Sequence, residues 1–447
     1  MTKKRTDRMV LSAFLMPAGY DRHAWQIEGS RAEEFGQLGI LVDLAKRFEG
    51  AKFDSVFIAD TLGSDFIREN DLSMGNPYEP VASLAALISQ TKHIGLIGTI
   101  STTFTHPYNT ARQLAALDML SGGRTGWNIV TSSWGAPAFG MPGLPPREDR
   151  YRRAAEFVKV ATELWAAWSD EAIVADRKSG KWVDPDLIRP VKHEGEFFKV
   201  EGYMNIPRSP QGHTVLVQAG QSAGGLALGA EYAEIIYTVQ PEIGPAIAYY
   251  EAQKARIGTA GRNPDQVKIL PGIIPYVGRT EAEAQALFDA VVSKMDLEML
   301  RDVVTKKLDI DLSGLSFDER IPVERFEAAL AKVGGSRLVA YRDYAQQEGR
   351  TLRDLLVNHS SAMGHILSIG TVEQVADQMV DWFESRACDG FSVNAPSYPG
   401  SVDTICDLLI PELQRRGYFR TEYEATTLRG NLGLPHPPAW DKRKTDS

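Results

Sequence analysis

The sequence predicts an α/β chain folded as a (β/α)8 TIM barrel with insertions, and three observations predict it. Short apolar, β-branched runs alternate with longer amphipathic segments, the pattern of parallel βα units. The runs are mostly apolar along their whole length, as strands buried on both faces must be. Eight of them occur, at residues 10–16, 55–60, 94–101, 125–131, 214–219, 235–239, 268–277 and 390–394. Eight strands in that alternation favour a closed barrel, with a doubly wound open sheet as the alternative.

The helical segments between them are expected at 35–48, 80–90, 109–120, 152–168, 222–232, 245–257, 281–294 and 372–385, with a last helix at 402–416. No period of repeating units appears. The chain reads as one barrel domain over 1–447, interrupted twice. Residues 169–212, rich in Gly, Pro and charge, are expected to be a hairpin insertion containing a strand at 195–200. Residues 296–370 are expected to be a longer, partly helical insertion before the last βα unit. The tail 421–447, with Pro435, Pro437 and Pro438, reads as an extended arm around the outside.

Composition narrows the function. The chain has 447 residues, 43% of them hydrophobic, enough for a large core. A net charge of −9 argues against nucleic acid or an anionic membrane as partner. The two cysteines, Cys388 and Cys406, lack metal-ligand spacing and fit a reducing, cytoplasmic setting. Lys3, Lys4 and Arg5 precede an apolar run at 9–16, but the run is short, stops at Pro17 and lacks a small-residue cleavage site, so it reads as a buried first strand. No stretch reaches the roughly 20 apolar residues of a membrane span.

In such a barrel the site is built at the C-terminal ends of the strands. There the sequence places Asp60, Thr102, Asn128, the segment from Thr131 to Trp134, and the turn Gln218-Ala219-Gly220-Gln221-Ser222. In that turn Gly220 permits a tight bend, Ser222 is a good N-cap, and a helix follows. Its free N–H groups and positive dipole end would suit a phosphate, although an ordinary capped helix explains the turn equally well. Asp60 could meet a ligand or cap the next segment. Asn128 facing into a barrel needs hydrogen-bond partners. Arg147, Arg150 and Tyr151 lie at a helix start, where the arginines could serve a phosphate or pair with Glu148 and Asp149. His23, Trp25, Phe66, Trp134, Phe139 and Met141 give the loops an aromatic, apolar cast suited to a dry pocket. The eight histidines are scattered, so no metal is expected, and His365 reads as structural. No dinucleotide fingerprint, P-loop, HExxH or nucleophile elbow is present. No nucleophile or acid–base pair stands out, so the catalytic residues stay unassigned and a cofactor is expected to carry the chemistry.

Several stretches resemble the bacterial luciferase-like flavin-dependent monooxygenases, in the branch of nitrilotriacetate monooxygenase component A and the dibenzothiophene sulfone, dimethyl sulfide and long-chain alkane monooxygenases. They are FIAD at 57–60, HIGLIGTIST at 93–102, PYNTAR at 107–112 and LSGGRTGWNIVTS at 120–132. RYRRAAEF at 150–157, PQG at 210–212, QAGQS at 218–222, LQRRG at 413–417 and TLRGNLG at 427–433 continue the series. The resemblance implies a luciferase-type barrel, FMN as cofactor, and homodimers or homotetramers. It further implies that a separate NAD(P)H:flavin reductase supplies reduced FMN, which reacts with O2 to a C4a-(hydro)peroxyflavin that oxygenates a small-molecule substrate. Carried over by motif, Asp60, Thr102 and Asn128 would hold the flavin ring. Tyr151, Ser222 and the amides of Ala219 and Gly220 would bind its phosphate, with Arg147 where many relatives have a histidine. A deazaflavin-dependent oxidoreductase of the same fold and a non-catalytic flavin-binding barrel are the alternatives. Three departures border the substrate space: Arg147, the shortened loop 131–150 with Ala138-Phe139-Gly140, and Ala24-Trp25-Gln26 in the first loop. The substrate is therefore not copied from a relative. The aromatic loops, Tyr20, His23, Trp25, Phe66 and Trp134 among them, lead us to expect a mostly apolar or sulfur-containing compound with at most one negative charge.

Overall fold

The structure, a computed structural model, describes residues 5–63, 78–333 and 336–440. Every one of the eight expected strands is present, and they close on themselves. β1 (Val10–Phe14), β2 (Ser55–Ile58), β3 (Gly95–Ser101) and β4 (Thr125–Val130) pair in sequence order. β4 then skips two hairpins, β5 (Ile173–Asp176) with β6 (Lys181–Val183) and β7 (Val191–Glu194) with β8 (Lys199–Gly202), to pair with β9 (Val215–Gln218). β10 (Ile235–Thr238), β11 (Lys268–Gly278) and β13 (Gly390–Val393) complete the ring, β13 returning to β1, with all barrel pairs parallel. β12 (Ile366–Thr371) stands outside the ring, paired with the far half of β11.

The helices are laid outside. They are α1 (Leu38–Gly50), α2 (Pro80–Ile88), α3 (Pro107–Ser121), α4 (Arg147–Trp165), α5 (Ala223–Tyr232), α6 (Ile243–Thr259) and α7 (Glu281–Val292), all near their expected bounds. The second insertion supplies α8 (Leu297–Leu308), α9 (Val323–Val333), α10 (Ser336–Ala345) and α11 (Leu352–Ala362), with a hydrophobic core of its own around Phe326 and Leu355. After it come α12 (Val372–Glu384), α13 (Gly400–Thr404) and α14 (Ile410–Arg415). Residues alternate along each strand: Trp127 and Ile129 pack outward under α3 and α4, while Ile97, Val215 and Val217 fill the interior.

Three expectations need correction. The first insertion holds two hairpins, not one, and the strand expected at 195–200 is broken by a turn. Glu156 on α4 accepts from the N–H groups of Phe197 (3.0 Å) and Phe198 (2.8 Å), and Gly195 lies so close that an added Cβ would stand 2.1 Å from its Oε1. The carboxylate satisfies the turn and the glycine makes room for it. The second insertion also ends in a strand, β12, whose alternating burial marks it as a half-covered edge.

The third correction concerns the tail, which is no outer arm over residues 427–434. Its short helix α15 (Leu428–Asn431) plugs the bottom of the barrel: Leu428, Leu432 and Leu434 join the interior cluster beside Ile97 and Leu270. Leu428 N donates to Gly123 O at 3.0 Å, and a Cβ on Gly95 would lie 2.5 Å from the Leu428 side chain. Arg429, 3% exposed, pairs bidentately with Glu234 and donates to Gln211 O at 3.1 Å. Burial alone would raise the Glu234 pKa, but Arg429 overcomes it and holds the carboxyl below its usual value. Burial, reinforced by Arg429, pushes neighbouring His213 down to about 4.

Arg429→Met should lower the free energy of unfolding by about 3–5 kcal/mol, because it strands a buried carboxylate. Urea titration is the measure, and adding Glu234→Gln to that variant should recover much of the loss.

Candidate active site

All eight strands present their C-terminal ends to one mouth, and two cavities adjoin there. The first, of about 250 Å3, is lined by Asp60, Leu62, the segment from Ile129 to Trp134, Tyr151, Gln218, Ala219 and Gly220. The second, of about 200 Å3, shares Ala219 and runs along Phe14, Tyr20, Phe57, Tyr237, Gly272, His365 and Asn394.

One end of the first cavity lies against the start of α5. Ser222 caps α5, its hydroxyl accepting from Gly225 N at 3.3 Å, and the first N–H groups of the helix have no carbonyl of their own to meet. α4 reaches the same point through Tyr151, which lies against Gly224, where a Cβ would come within 2.6 Å of the ring, and whose hydroxyl reaches Gly220, where a Cβ would stand 2.9 Å away. Glycine at these two positions is what allows the ring and the turn to approach. One positive helix end thus lies beside a phenol.

The arginines divide. Arg147 is exposed at the start of α4, whereas Arg150 is half-buried and donates to the carbonyls of Ser132 and Thr131. No carboxylate among the described residues pairs with Arg150, and burial, with Arg147 close by, lowers its pKa. Ser132 offers its carbonyl from a left-handed conformation (φ 50°) while its hydroxyl meets Ser101 at 2.7 Å. Strain of this kind at a strand end is common where a ligand is held. Ser132 lines the cavity with Arg150 bonded behind it, and Arg147 stands apart.

Asn128, 4% exposed, points into the barrel because its neighbours Trp127 and Ile129 pack outward. Its Nδ2 donates to Thr99 at 3.0 Å, and its Oδ1 has no partner among the described residues. A buried acceptor left open in this way calls for a donor. Asn128 is in neither cavity lining, whereas Asp60 lines the first, its pKa raised to about 6 by burial and by Glu79 nearby.

Other expected residues lie elsewhere. Thr102 is fully buried, donates to Val130 O at 3.1 Å and lines neither cavity. His23 is buried between Asp21 and Ser360 of α11 (3.3 Å), and Trp25 is half-buried in the first loop; both lie outside the two linings. Trp134, 41% exposed, forms a wall of the first cavity. Phe139 stacks on Phe104 with ring centroids 4.2 Å apart, and Phe66 is outside the described residues. The aromatic lining of the second cavity, Phe14, Phe57 and Tyr237, was not singled out from the sequence. The signal was available, since all three sit at strand ends, but inward-facing aromatics there look like core.

Comparison with known proteins agrees with this architecture. Residues 20–389 match the luciferase-like monooxygenase family. The chain is 36% identical over 443 residues to N-acetyl-S-(2-succino)cysteine monooxygenase of Bacillus subtilis, covering 98% of this chain and 99% of that one. It is 37% identical over 446 residues to nitrilotriacetate monooxygenase component A of Aminobacter aminovorans, covering 96% and 97%. Its fold superposes with a TM-score of 0.83 and 29% identity on riboflavin lyase, solved with modified FMN and riboflavin, covering 97% of this chain and 98% of that one. The chain belongs to the luciferase-like monooxygenase family. It is an enzyme of the monooxygenase class.

The raised pKa of Asp60 has a sign that can be checked. A carboxyl with a folded pKa near 6 binds its proton more tightly than in the unfolded chain, so its contribution to stability is present below about pH 4 and lost as pH rises through about 6. Asp60→Asn removes that slope. The Tm of the flavin-free variant should exceed wild type at pH 7.5 and match it near pH 4, read by calorimetry.

Proposed function

We propose that this enzyme binds reduced FMN made by a separate NAD(P)H:flavin reductase and, with O2, inserts one oxygen atom into a small, mostly apolar substrate. The observation that carries the reading is the turn at Gly220. The start of α5 with its Ser222 cap and the Tyr151 hydroxyl meet at that turn, Asp60 lines the same cavity, and the open acceptor of Asn128 stands on the neighbouring strand β4.

These residues fit FMN. Ser222, Tyr151 and the amides after Gly220 would bind the phosphate, with Arg150 adding uncompensated positive charge and Arg147 standing outside it. Asn128 Oδ1 would accept from the ring's N–H edge. Asp60, with a pKa near 6, can hold or release a proton beside the ring at physiological pH. A bound, reduced flavin would supply two electrons to activate O2, chemistry no side chain here provides. Trp134 and the loop at Leu62 would keep water from that end.

The second cavity is the substrate compartment in this reading. Its lining holds four aromatic side chains and, among the described residues, no lysine, arginine, aspartate or glutamate. A polycarboxylate such as nitrilotriacetate would enter it without paired cations, at a large desolvation cost. The favoured substrate is therefore a thioether, sulfone, aromatic or aliphatic compound with at most one negative charge.

Two experiments test the reading. Ser222→Ala and Tyr151→Phe should each weaken FMN binding about 10- to 150-fold, as expected for losing a hydrogen bond to a charged group. Unchanged affinity in both would remove the phosphate from this turn. The purified protein should not turn over NADH alone. With a generic reductase, FMN and O2 it should oxygenate members of a thioether and sulfone panel in preference to aminopolycarboxylates, followed by mass spectrometry. Turnover confined to aminopolycarboxylates would overturn the substrate class, and anaerobic turnover with a deazaflavin would overturn the oxygenase.

A further inference from the structure

The second cavity has two unlike walls. On one side Phe57 lies 5.0 Å from Phe14 and 5.0 Å from Tyr237, ring centroid to centroid, and the Tyr237 hydroxyl is engaged with Ser12 at 2.7 Å. That wall offers carbon. Across it stand Gly272 on β11, its ladder neighbour Ser392 on β13, Asn394 just beyond, and His365.

The polar wall is built with some care. Ser392 Oγ donates to Asn394 Oδ1 at 3.3 Å, which fixes the amide so that its Nδ2 donors turn the other way. No acceptor among the described residues takes them, although Asn394 is only 3% exposed. His365 arrives by a separate route. Met363 (φ 48°) and Gly364 (φ 84°) take left-handed conformations at the end of α11, and this double bend delivers the imidazole to the cavity just before β12 begins. It lies over Gly272, where an added Cβ would come within 2.3 Å of Nδ1, and edge-on to Tyr20 at 5.9 Å. Glycine at 272 is the space the ring occupies.

We propose that His365 and Asn394 form a hydrogen-bonding pole that selects the substrate: an apolar body bearing one acceptor group, such as a sulfone, a carbonyl or a single carboxylate. The aromatic wall holds the body while the imidazole and amide N–H groups hold the acceptor. Both residues determine specificity and orientation and take no part in oxygen transfer. The proposal rests on the second cavity being the substrate compartment.

The test is a matched pair of probes, methyl phenyl sulfone and tert-butylbenzene, similar in shape and differing in the acceptor. Each is titrated by calorimetry into the protein with oxidised FMN bound, where no turnover occurs, and into the flavin-free protein. Wild type should prefer the sulfone by about 10-fold, the scale of one or two buried hydrogen bonds. His365→Ala, Asn394→Ala and Gly272→Ala, the last by displacing the imidazole, should each cut that preference several-fold and leave tert-butylbenzene binding within about 3-fold. His365→Gln should restore part of it, which loss of packing alone would not predict. Equal affinity for the two probes in wild type, no binding of either, or a preference that survives the substitutions overturns the proposal. The wild-type comparison decides even where a variant fails to fold. FMN titration in the same samples reports separately on the flavin reading, so either can fail without the other.

Discussion

Closure of the parallel sheet is the constraint on which everything else depends. Pairing β10 with β11 and β13 with β1 leaves no ring strand with an open edge, and it turns every C-terminal end toward one mouth. Two unlike ends result, and each has to be finished. The lower end receives Leu428, Leu432 and Leu434 from the tail and is locked by Arg429 on Glu234. The upper end stays hollow. An interior sealed from below is what allows cavities above it without exposing the core.

Polarity then varies along the mouth in a way that follows from the backbone. Where α5 begins, unpaired N–H groups lie near the positive charge of Arg150. Asp60 lines the same cavity, where burial raises its pKa to about 6, and Asn128 on β4 keeps its carbonyl oxygen without a partner among the described residues. Past Ala219 the lining becomes aromatic. No single residue would have indicated that change along the mouth.

The legible parts of the sequence were those in which one local pattern maps onto one environment. Strands such as 94–101 and 214–219 are apolar throughout because both faces are covered, so their number and order could be read directly. The Ser222 cap and Gly220 turn were equally visible, since capping is decided within four residues. β12 was hidden because a half-buried edge strand alternates and sits among helices. The tail was misread because prolines and short polar stretches look external, whereas Leu428 and Arg429 are drawn inward by Gly95, Gly123 and Glu234, all remote in sequence.

The site shows the same division. The residue types at the strand ends, Asp60, Asn128, Tyr151 and the glycine turn, could be named from the sequence together with the family they resemble. Their selection from equally polar neighbours could not. Thr102 and Thr103 follow the same strand as Thr99, yet they spend their hydroxyls on Val130 and Thr131 carbonyls. Arg150 is held inward by the carbonyls of Thr131 and Ser132, whereas Arg147, on the same face one turn nearer the helix start, stays exposed. His365 reaches the mouth only because two left-handed residues bend the chain at the end of α11. The sequence by itself determined the barrel, its strand order and the capped glycine turn, all products of burial pattern and local backbone chemistry. Tertiary structure alone decided which polar side chains reach the mouth, because that depends on partners brought together from distant parts of the chain.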